Sequence, residues 1–248
     1  MGPSRPTIQI DRVSYQIGEN LILGDLSLSV AQGETLVLLG ESGCGKTTLL
    51  RTINRMIEPT GGEIFIEGRK SVEWGLIELR RHIGYVLQDA GLFPHFNVEQ
   101  NVGLVPGLLN WDKNRIAGRV SDVLELVGLP RSKFGGRLPS ELSGGQRQRV
   151  GVARALAADP PIILLDEPFG ALDVLTRTML QKEFSSLVRD LGKTAIFVTH
   201  DLREAAMLAS RIALMEKGRI VFLGTPAEFN SAEVPLAKAY LETIEAAA

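Results

Sequence analysis

Residues 40–47 have the types and spacing of a loop that binds phosphate groups. The pattern G-x-x-x-x-G-K-[ST] is matched by Gly40-Glu41-Ser42-Gly43-Cys44-Gly45-Lys46-Thr47, which lies between a predicted buried strand and a predicted helix. Glycines let the backbone wrap around an anion with its N–H groups pointing inward, and a helix N-terminus adds its positive end. We expect Lys46 to reach the β- and γ-phosphates of a nucleotide and Thr47 to ligate Mg²⁺. An ordinary glycine turn with an exposed lysine is the alternative, which pattern and context disfavour.

Two adjacent carboxylates, Asp166 and Glu167, follow the apolar run Ile162–Leu165. Ligands of parallel sheets bind at the carboxyl ends of the strands, so we expect both acids to face the same phosphate groups. Asp166 would hold Mg²⁺ through its water shell, and Glu167 would orient and deprotonate an attacking water. A solvated strand end is the alternative, which the phosphate loop makes less favourable.

A second anion site is predicted at the start of another helix, in the segment Leu142-Ser143-Gly144-Gly145-Gln146. Ser143 is a good N-cap, and the two glycines leave the N–H groups of the first turn uncovered. Taken alone, this segment could be a common helix start. A chain with two phosphate-binding helix ends can, however, use each to complete the other's pocket across a two-fold axis. We therefore expect two nucleotides to lie between two copies of the chain.

The elements that must position these residues alternate between strand and helix, which predicts an α/β protein with a parallel sheet. Continuous apolar runs predict buried strands at 35–39, 162–165 and 194–198, and helical patterns cover 46–57, 143–158 and 174–191. Strands of alternating polarity at 7–10, 26–30 and 63–66 predict an antiparallel flank. The helical stretch at about 92–155 reads as an inserted lobe. Within it, residues 97–127 have a helical pattern interrupted by Pro106 and Gly107, and residues 128–139 are predicted to form a glycine- and proline-rich loop. Lys217-Gly218 reads as the turn of a hairpin.

Composition narrows the class of protein. In 248 residues, 27 Lys and Arg stand against 29 Asp and Glu, a net charge of −2 that argues against a nucleic-acid partner. The single cysteine, Cys44, excludes an internal disulfide. We interpret it as a small filler of the loop, although Lys46 and the helix end could lower the pKa of its thiol and make it prone to alkylation. No apolar run approaches the roughly 20 residues of a membrane span, and the N-terminus lacks the apolar centre of a signal peptide, so we expect a cytoplasmic protein.

The phosphate loop, the 142–146 segment and the Asp166-Glu167 pair, in this order and spacing, resemble the ATP-binding subunit of an ABC transporter. The resemblance covers nearly the whole chain. It implies a P-loop NTPase fold of the ABC ATPase type, with a RecA-like parallel-sheet core, an antiparallel β flank and an inserted helical subdomain. It further implies a single domain over 1–248, comprising a nucleotide-binding core with the β flank at 1–91 and 156–225, a helical subdomain at 92–155 and a C-terminal helical tail at 226–248.

The resemblance also implies roles for residues whose types alone would not reveal them. Gln88 matches the Q-loop, which senses Mg²⁺ and links to the membrane partner, and Asp173 lies in a segment that resembles the D-loop contacting the opposite subunit. His200 matches the switch histidine at the γ-phosphate, and Tyr15 lies where the family places an aromatic ring against adenine. Without the family, Gln88 could be a solvated glutamine, His200 a helix-start residue and Tyr15 a packing residue.

Together, these inferences predict ATP and Mg²⁺ as the ligands. The predicted catalytic residues are Lys46, Glu167 and His200, and the predicted metal ligands are Thr47, Gln88 and Asp166. The predicted ATP-binding set is Tyr15, Gly40, Glu41, Ser42, Gly43, Cys44, Gly45, Lys46, Thr47, Thr48 and Gln88. The nucleotide of the opposite subunit would be contacted by Ser143, Gly144, Gly145 and Gln146.

The implied partners are a second copy of the chain in the closed state, two integral membrane permease subunits and an extracytoplasmic substrate-binding protein. The protein would then lie at the cytoplasmic face of the cell membrane. The loop 88–98 contains Leu92, Phe93 and Phe96, apolar residues that a loop exposes only if something covers them. They could pack onto the helical lobe or form a groove that receives a helix of the membrane subunit.

The transported solute can be inferred only from resemblance, because the ATPase subunit does not touch it. Residues 84–88 and 101–111 are similar to ATPases of glycine betaine, choline and other osmoprotectant importers. ATP hydrolysis would then power uptake of a quaternary amine. The alternatives are an amino acid or sulfonate importer, a soluble ABC ATPase outside transport, and a P-loop kinase or non-hydrolysing nucleotide-binding module.

Overall fold

The structure is a computed structural model that describes residues 6–170, 174–190 and 192–245. The chain divides into two compact units, one of residues 1–80 and 188–248 and the other of residues 81–187. The strands are β1 Ile8–Ile17, β2 Asn20–Val30, β3 Thr35–Gly40, β4 Gly61–Ile66, β5 Arg69–Lys70, β6 Ile83–Val86, β7 Ile162–Asp166, β8 Thr194–Thr199, β9 Arg211–Glu216 and β10 Arg219–Gly224. The helices are α1 Lys46–Ile53, α2 Leu76–His82, α3 Val98–Leu108, α4 Lys113–Leu126, α5 Arg131–Phe134, α6 Gly144–Ala157, α7 Val174–Asp190, α8 Leu202–Leu208, α9 Pro226–Phe229 and α10 Pro235–Glu245.

The first unit contains the predicted antiparallel flank, a four-stranded sheet in the order β2-β1-β4-β5. Along β1, Ile8 and Ile10 are buried while Gln9 between them is exposed. This alternation is the pattern of a sheet with one face on a core and one in water. The first hairpin, β1–β2, is longer than the sequence predicts, because its distal half carries exposed side chains such as Ile17 and Leu21 that give no core pattern.

The other strands of the first unit are ordered β10-β9-β3-β8, with β3 parallel to both β8 and β9. The side chains of β3 from Leu36 to Leu39 are fully buried, as the continuous apolar run predicts. Leu39 lies opposite Thr199, so the residues that follow β3 and β8 leave the sheet at the same edge. The β9–β10 hairpin turns at Lys217 and Gly218, both with positive φ, which is the requirement of a type I′ turn.

In the second unit, β6 and β7 form a parallel pair in which Val86 lies opposite Leu165. Helix α6 packs against α3 and α4 and buries Val150 and Ala153 completely. One prediction about the helices is wrong: Pro106 does not interrupt the helical stretch, because it occupies the last turn of α3. The break falls after Leu108, where the backbone of Asn110 is left-handed, and Asp112 caps α4.

Two other boundaries differ from the predictions. The helix that follows the phosphate loop ends at Ile53 rather than residue 57, and Arg55 adopts a positive φ. The glycine- and proline-rich stretch at 128–139 contains the short helix α5. Within the described ranges, no helix is both long and apolar enough to cross a membrane. The division into a core, a 92–155 subdomain and a tail stays a prediction.

Candidate functional site

The loop between β3 and α1 in the first unit is folded around a buried lysine. Lys46 is only 4% exposed, and its Nζ donates to the carbonyl oxygens of Gly40 at 2.7 Å and Glu41 at 2.8 Å. The ammonium charge is therefore held within the loop by hydrogen bonds to carbonyl oxygens of the loop's own backbone. Thr47 and Thr48 follow, half-buried, in the first turn of α1, and Glu41, Ser42 and Gly43 are exposed.

Helix α1 begins without a side-chain cap. Its N-cap is Gly45, with φ of 107°, a conformation that L side chains rarely adopt. A Cβ at this position would lie 2.9 Å from Leu23 Cδ2 and 3.0 Å from the Ile22 carbonyl oxygen, so only glycine fits. The uncapped N–H groups and the helix dipole make this end of α1 suited to binding an anion.

The turn of the β9–β10 hairpin braces the loop, a contact that the sequence analysis missed. Gly218 N donates to the carbonyl oxygen of Cys44 at 3.0 Å, and the Gly218 carbonyl accepts from Gly24 N at 3.0 Å. A Cβ at Gly218 would lie 2.3 Å from the Ile22 carbonyl oxygen, so β2 approaches the turn closely. The dipeptide Lys217-Gly218 signals a turn in the sequence, but nothing local indicates which distant loop the turn contacts.

Cys44 is buried in the loop, and its Sγ lies 3.8 Å from Lys46 Nζ. Burial raises the pKa of the Cys44 thiol, while the neighbouring Lys46 acts in the opposite direction. The expected lowering by Lys46 is present but does not prevail, because removal of the thiolate from water outweighs the favourable charge, so Cys44 fits the small filler and not the alkylation-prone thiol. Cys44 is a buried, protonated filler of the loop at neutral pH.

His200 follows β8 and is exposed at the edge where the phosphate loop leaves the sheet. The segment around it is fixed by Thr199, whose hydroxyl donates to the buried Glu204 carboxylate and accepts from Asp201 N at 3.0 Å. Thr199 and Glu204 are residues that the sequence analysis did not single out. They hold the backbone on both sides of the predicted switch histidine.

A cavity of about 500 Å³ in the first unit brings His200 and Glu41 together. Its other lining residues come from the start of α8 and from α10, namely Asp201, Leu202, Arg203, Leu236, Ala239, Tyr240 and Thr243. Burial raises the pKa of Tyr240 to about 12, and the negative charges at Cys44 and Glu41 add to this effect. Helix α10 thus borders the phosphate loop, a feature that its sequence pattern does not reveal.

In the second unit, Asp166 is the last residue of β7 and Glu167 follows it. Asp166 is 2% exposed, and Glu167 is a non-glycine residue with φ of 45°. A left-handed residue of this kind costs about 1–2 kcal/mol and is a feature that clusters at functional sites. Gln88 lies two residues beyond the end of β6 and is exposed. Because β6 and β7 are parallel, Gln88 and the two acids follow the same edge of this strand pair.

The N-terminus of α6 is closed by a capping box. Gln146 N donates to Ser143 Oγ at 3.2 Å, and Ser143 N donates to Gln146 Oε1 at 3.0 Å. Ser143 and Gly144 are exposed, and Gly145 is half-buried. The N–H groups of Gly144 and Gly145 precede the first intrahelical bonds, so they can still donate to an external anion.

The loop between β6 and α3 is organised by Asn101, which is completely buried and was not singled out by the sequence analysis. Its Nδ2 donates to the carbonyl oxygens of Phe93 at 3.2 Å and Phe96 at 2.9 Å, and its Oδ1 accepts from Phe93 N at 2.8 Å. The rings of Phe93 and Phe96 lie 5.4 Å apart, and Phe93 is 42% exposed. A rigid loop therefore presents an aromatic side chain to its surroundings.

For two other predicted site residues, the structure does not distinguish the predicted role from another or does not describe the residue. Tyr15 is half-buried in β1 opposite Leu23 of β2, which is compatible with packing and with stacking alike. Asp173 lies outside the described residues. The adenine contact of Tyr15 and the D-loop role of Asp173 stay predictions.

A phosphate-type loop built on a parallel strand, with carboxylates at the end of another, defines a P-loop nucleotide-binding protein. Residues 23–170 match the ABC transporter family, and the chain belongs to this family. A solved dimer of the ATP-binding cassette MJ0796 in a post-hydrolysis state with ADP and Pi is similar over 88% of this chain and 98% of that chain, with a TM-score of 0.81 and 33% identity. The predicted ABC ATPase fold is thereby confirmed.

Curated relatives point to one group of transporters. The chain is 50% identical over 223 residues to a glycine betaine/carnitine/choline transport ATP-binding protein of Bacillus subtilis, covering 89% of this chain and 58% of that protein. It is 49% identical to an osmoprotectant import ATP-binding protein of Salmonella typhimurium, covering 82% and 53%. A glycine betaine uptake system ATP-binding protein of Escherichia coli is 47% identical, covering 88% and 71%. The chain thus spans little more than half the length of the first two.

Proposed function

We propose that this chain is the ATP-hydrolysing subunit of an ABC importer for a small solute. The observation that carries the proposal is the presence of two different helix ends suited to phosphate, Gly45 at α1 and Ser143 at α6. A single nucleotide needs only the first. The second is explained if it contacts the nucleotide held by another copy of the chain, so that ATP binding closes a dimer.

In this proposal the first unit binds the phosphates. Lys46 exchanges its carbonyl partners for β- and γ-phosphate oxygens, and the N–H groups of residues 41–48 surround the same anion. His200 contacts the γ-phosphate, and its position beside Glu41 at one cavity supports this role. Tyr15 stacks on adenine. Loss of the γ-phosphate removes these contacts and lets the dimer open.

The second unit supplies the groups that act on water and metal. Glu167 orients the attacking water and accepts its proton, and its left-handed backbone supports a functional rather than a structural role. Thr47, Gln88 and Asp166 are the ligands we assign to Mg²⁺, because each side chain offers an oxygen, the ligand type that this ion prefers. When bound, Mg²⁺ neutralises charge on the β- and γ-phosphates.

Coupling to transport is assigned to the loop between β6 and α3. Gln88 and the exposed Phe93 lie in this loop, and Asn101 holds the backbone around Phe93 in one conformation. A helix of a permease subunit would cover the aromatic residues, which explains their exposure in the single chain. The chain would then work at the cytoplasmic face of the membrane with two permease subunits and an extracytoplasmic substrate-binding protein.

Glu167→Gln is the experiment that tests the proposal. Phosphate release should collapse, while a dimer that forms only with ATP and Mg²⁺ should accumulate on size-exclusion chromatography. The change removes the proton acceptor but keeps the size and hydrogen-bonding capacity of the side chain. Retained turnover would assign the base to another residue, and the absence of any ATP-dependent dimer would contradict the shared nucleotide site.

We assign a quaternary amine, such as glycine betaine or choline, as the solute. The names of the relatives from Bacillus subtilis and Salmonella typhimurium support this assignment. Uptake by the complex reconstituted in proteoliposomes should be fastest for quaternary amines when these are compared with amino acids and sulfonates. Co-purification with integral membrane subunits would separate an importer from a soluble ABC ATPase.

A further inference from the structure

Helix α6 is bonded to the loop that contains Gln88 through a buried glutamine. Gln148 is 3% exposed, its Nε2 donates to the Leu87 carbonyl oxygen at 3.0 Å, and its Oε1 accepts from Ala90 N at 3.0 Å. The two bonds flank Gln88 and Asp89. A buried side-chain amide that satisfies backbone groups on both sides of a short segment fixes the path of that segment.

Arg154, six residues further along the same helix, makes a second attachment. Its two terminal nitrogens donate to the carbonyl oxygens of Gly91 and Ala90, each at 2.8 Å. The guanidinium is largely shielded from water, and this burial lowers the pKa of Arg154. The hydrogen bonds to the loop backbone hold the guanidinium in this position. Between the two polar side chains, a Cβ at Gly151 would lie 3.4 Å from Ala90 Cα and Cβ, so the helix also packs directly on the loop.

The other end of this helix is the Ser143 site. Helix α6 runs continuously from Gly144 to Ala157, and its capping box fixes Ser143 to the first turn. A continuous helix moves as one rigid element, because the backbone of each turn is hydrogen-bonded to the next turn. A displacement at one end therefore reaches the other end. The loop at 87–91 and the serine that begins α6 therefore belong to one body.

We propose that Gln148 and Arg154 are positioning residues that tie the 87–91 loop to α6, so that displacement of this loop moves the Ser143 end of the helix. The inference rests on the proposed function, in which Gln88 faces metal and membrane partner and Ser143 faces the nucleotide of the opposite subunit. The two side chains then carry the signal between permease and nucleotide within one chain.

Hydrogen exchange of the full-length chain, followed by mass spectrometry without nucleotide, tests the attachment. In Gln148→Leu and in Arg154→Met, the amides of residues 88–91 should exchange hydrogen about tenfold faster. The reason is that the segment can then open without first breaking the hydrogen bonds to the replaced side chain. Arg154→Lys, which keeps one charged donor, should fall between Arg154→Met and the parent.

The matched control is Arg119→Met. Arg119 also donates to two backbone carbonyls, those of Ala157 at 3.2 Å and Leu156 at 2.8 Å, but these lie at the far end of α6. It should leave exchange at 88–91 unchanged. Unchanged exchange in Gln148→Leu, Arg154→Met and Arg154→Lys alike would overturn the attachment.

The coupling is tested by adding ATP and Mg²⁺ to the Glu167→Gln chain that also carries Gln88→Ala, so that the loop cannot respond through a metal contact of its own. In this chain, protection should change at 143–146 and at 88–91 together, whereas with Arg154→Met added the change should stay at 143–146. Joint responses in both chains would overturn the coupling. Failure of the Glu167→Gln chain without Gln88→Ala to bind ATP would contradict the proposed function, and the nucleotide-free exchange would still decide whether Gln148 and Arg154 hold the loop.

Discussion

Helices α1 and α6 begin in opposite ways, although both are suited to phosphate. Helix α1 has a glycine N-cap with φ of 107° and no side-chain cap, and its conformation depends on β2 and on the β9–β10 turn. Helix α6 has a serine N-cap and closes its own first turn with Gln146. One start is built by distant parts of the chain, and the other by residues three positions apart.

The difference suits two kinds of contact. An uncapped helix start leaves all its donors for a ligand and is stable only where the surrounding backbone holds it in place. A helix start with a side-chain cap is held by its own residues. It offers to a ligand only those backbone N–H groups that the cap does not use. This contrast fits the proposed function, in which α1 encloses a phosphate group and α6 meets one that another chain brings to its exposed surface.

The largest expected effect belongs to Lys46. Its ammonium group donates to the Gly40 and Glu41 carbonyls inside the loop, and Lys46→Met removes that charge from the phosphates. Phosphate release should fall by a factor of about 100 to 1,000, the loss typical of one preorganised charge-stabilising donor. Lys217→Met, an exposed lysine of the nearby hairpin turn, should retain near-parent turnover. An equal loss of phosphate release in the two variants would contradict a specific role of Lys46 in the reaction.

Gly218→Ala tests the distant brace of α1. The added Cβ would lie 2.3 Å from the Ile22 carbonyl oxygen, at a φ of 77°. We expect the free energy of unfolding to fall by about 2–3 kcal/mol, measured by urea denaturation, and nucleotide affinity to weaken because the Cys44 carbonyl loses its partner.

The control is Gly18→Ala, another glycine at a hairpin turn, with φ of 58° and open space around its Cβ position. It should lose only about 1–2 kcal/mol, from backbone strain alone, with nucleotide affinity unchanged. Equal effects of the two substitutions on affinity would contradict the bracing role of Gly218.

The same contrast explains what the sequence could predict. The loop motif, the buried strand before it and the Ser143 cap are local patterns, so their types and positions are readable from consecutive residues. The contact of Gly218 with Cys44, the hold of Asn101 on its loop and the approach of α10 to Glu41 each join segments far apart in the chain. Single-sequence periodicity carries no information on such pairs.

Boundary errors have the same origin. Pro106 is predicted from the sequence to interrupt the helix, but it removes only the bond that its own N–H would make to the preceding turn, and α3 continues through it to Leu108. The charge of Lys46 near Cys44 is visible in the sequence, whereas the burial that dominates the pKa of the thiol is not. Effects that depend on surrounding atoms from distant segments need the structure.

Ser143→Ala should have a smaller effect on stability than Gly218→Ala. Loss of the Oγ that accepts from Gln146 N should lower the free energy of unfolding by about 1 kcal/mol. The matched control is Thr225→Ala, which removes the same kind of capping box from α9, where Glu228 is the partner. Both should shift stability alike, and only Ser143→Ala should also reduce ATP turnover. Equal turnover in the two variants would limit Ser143 to capping.

The smallest expected effect concerns the reaction of Cys44 with a maleimide, which reports how closed the α1 loop is. Because burial raises the pKa of this thiol, less thiolate is present at every pH below that value than in an exposed cysteine. At pH 7.5 the folded chain should react several-fold more slowly than the chain unfolded in urea, and its rate should keep rising to higher pH. Faster reaction in the folded chain would show that Lys46 and the helix dipole govern the thiol, and that the loop is more open to water than its buried lysine indicates.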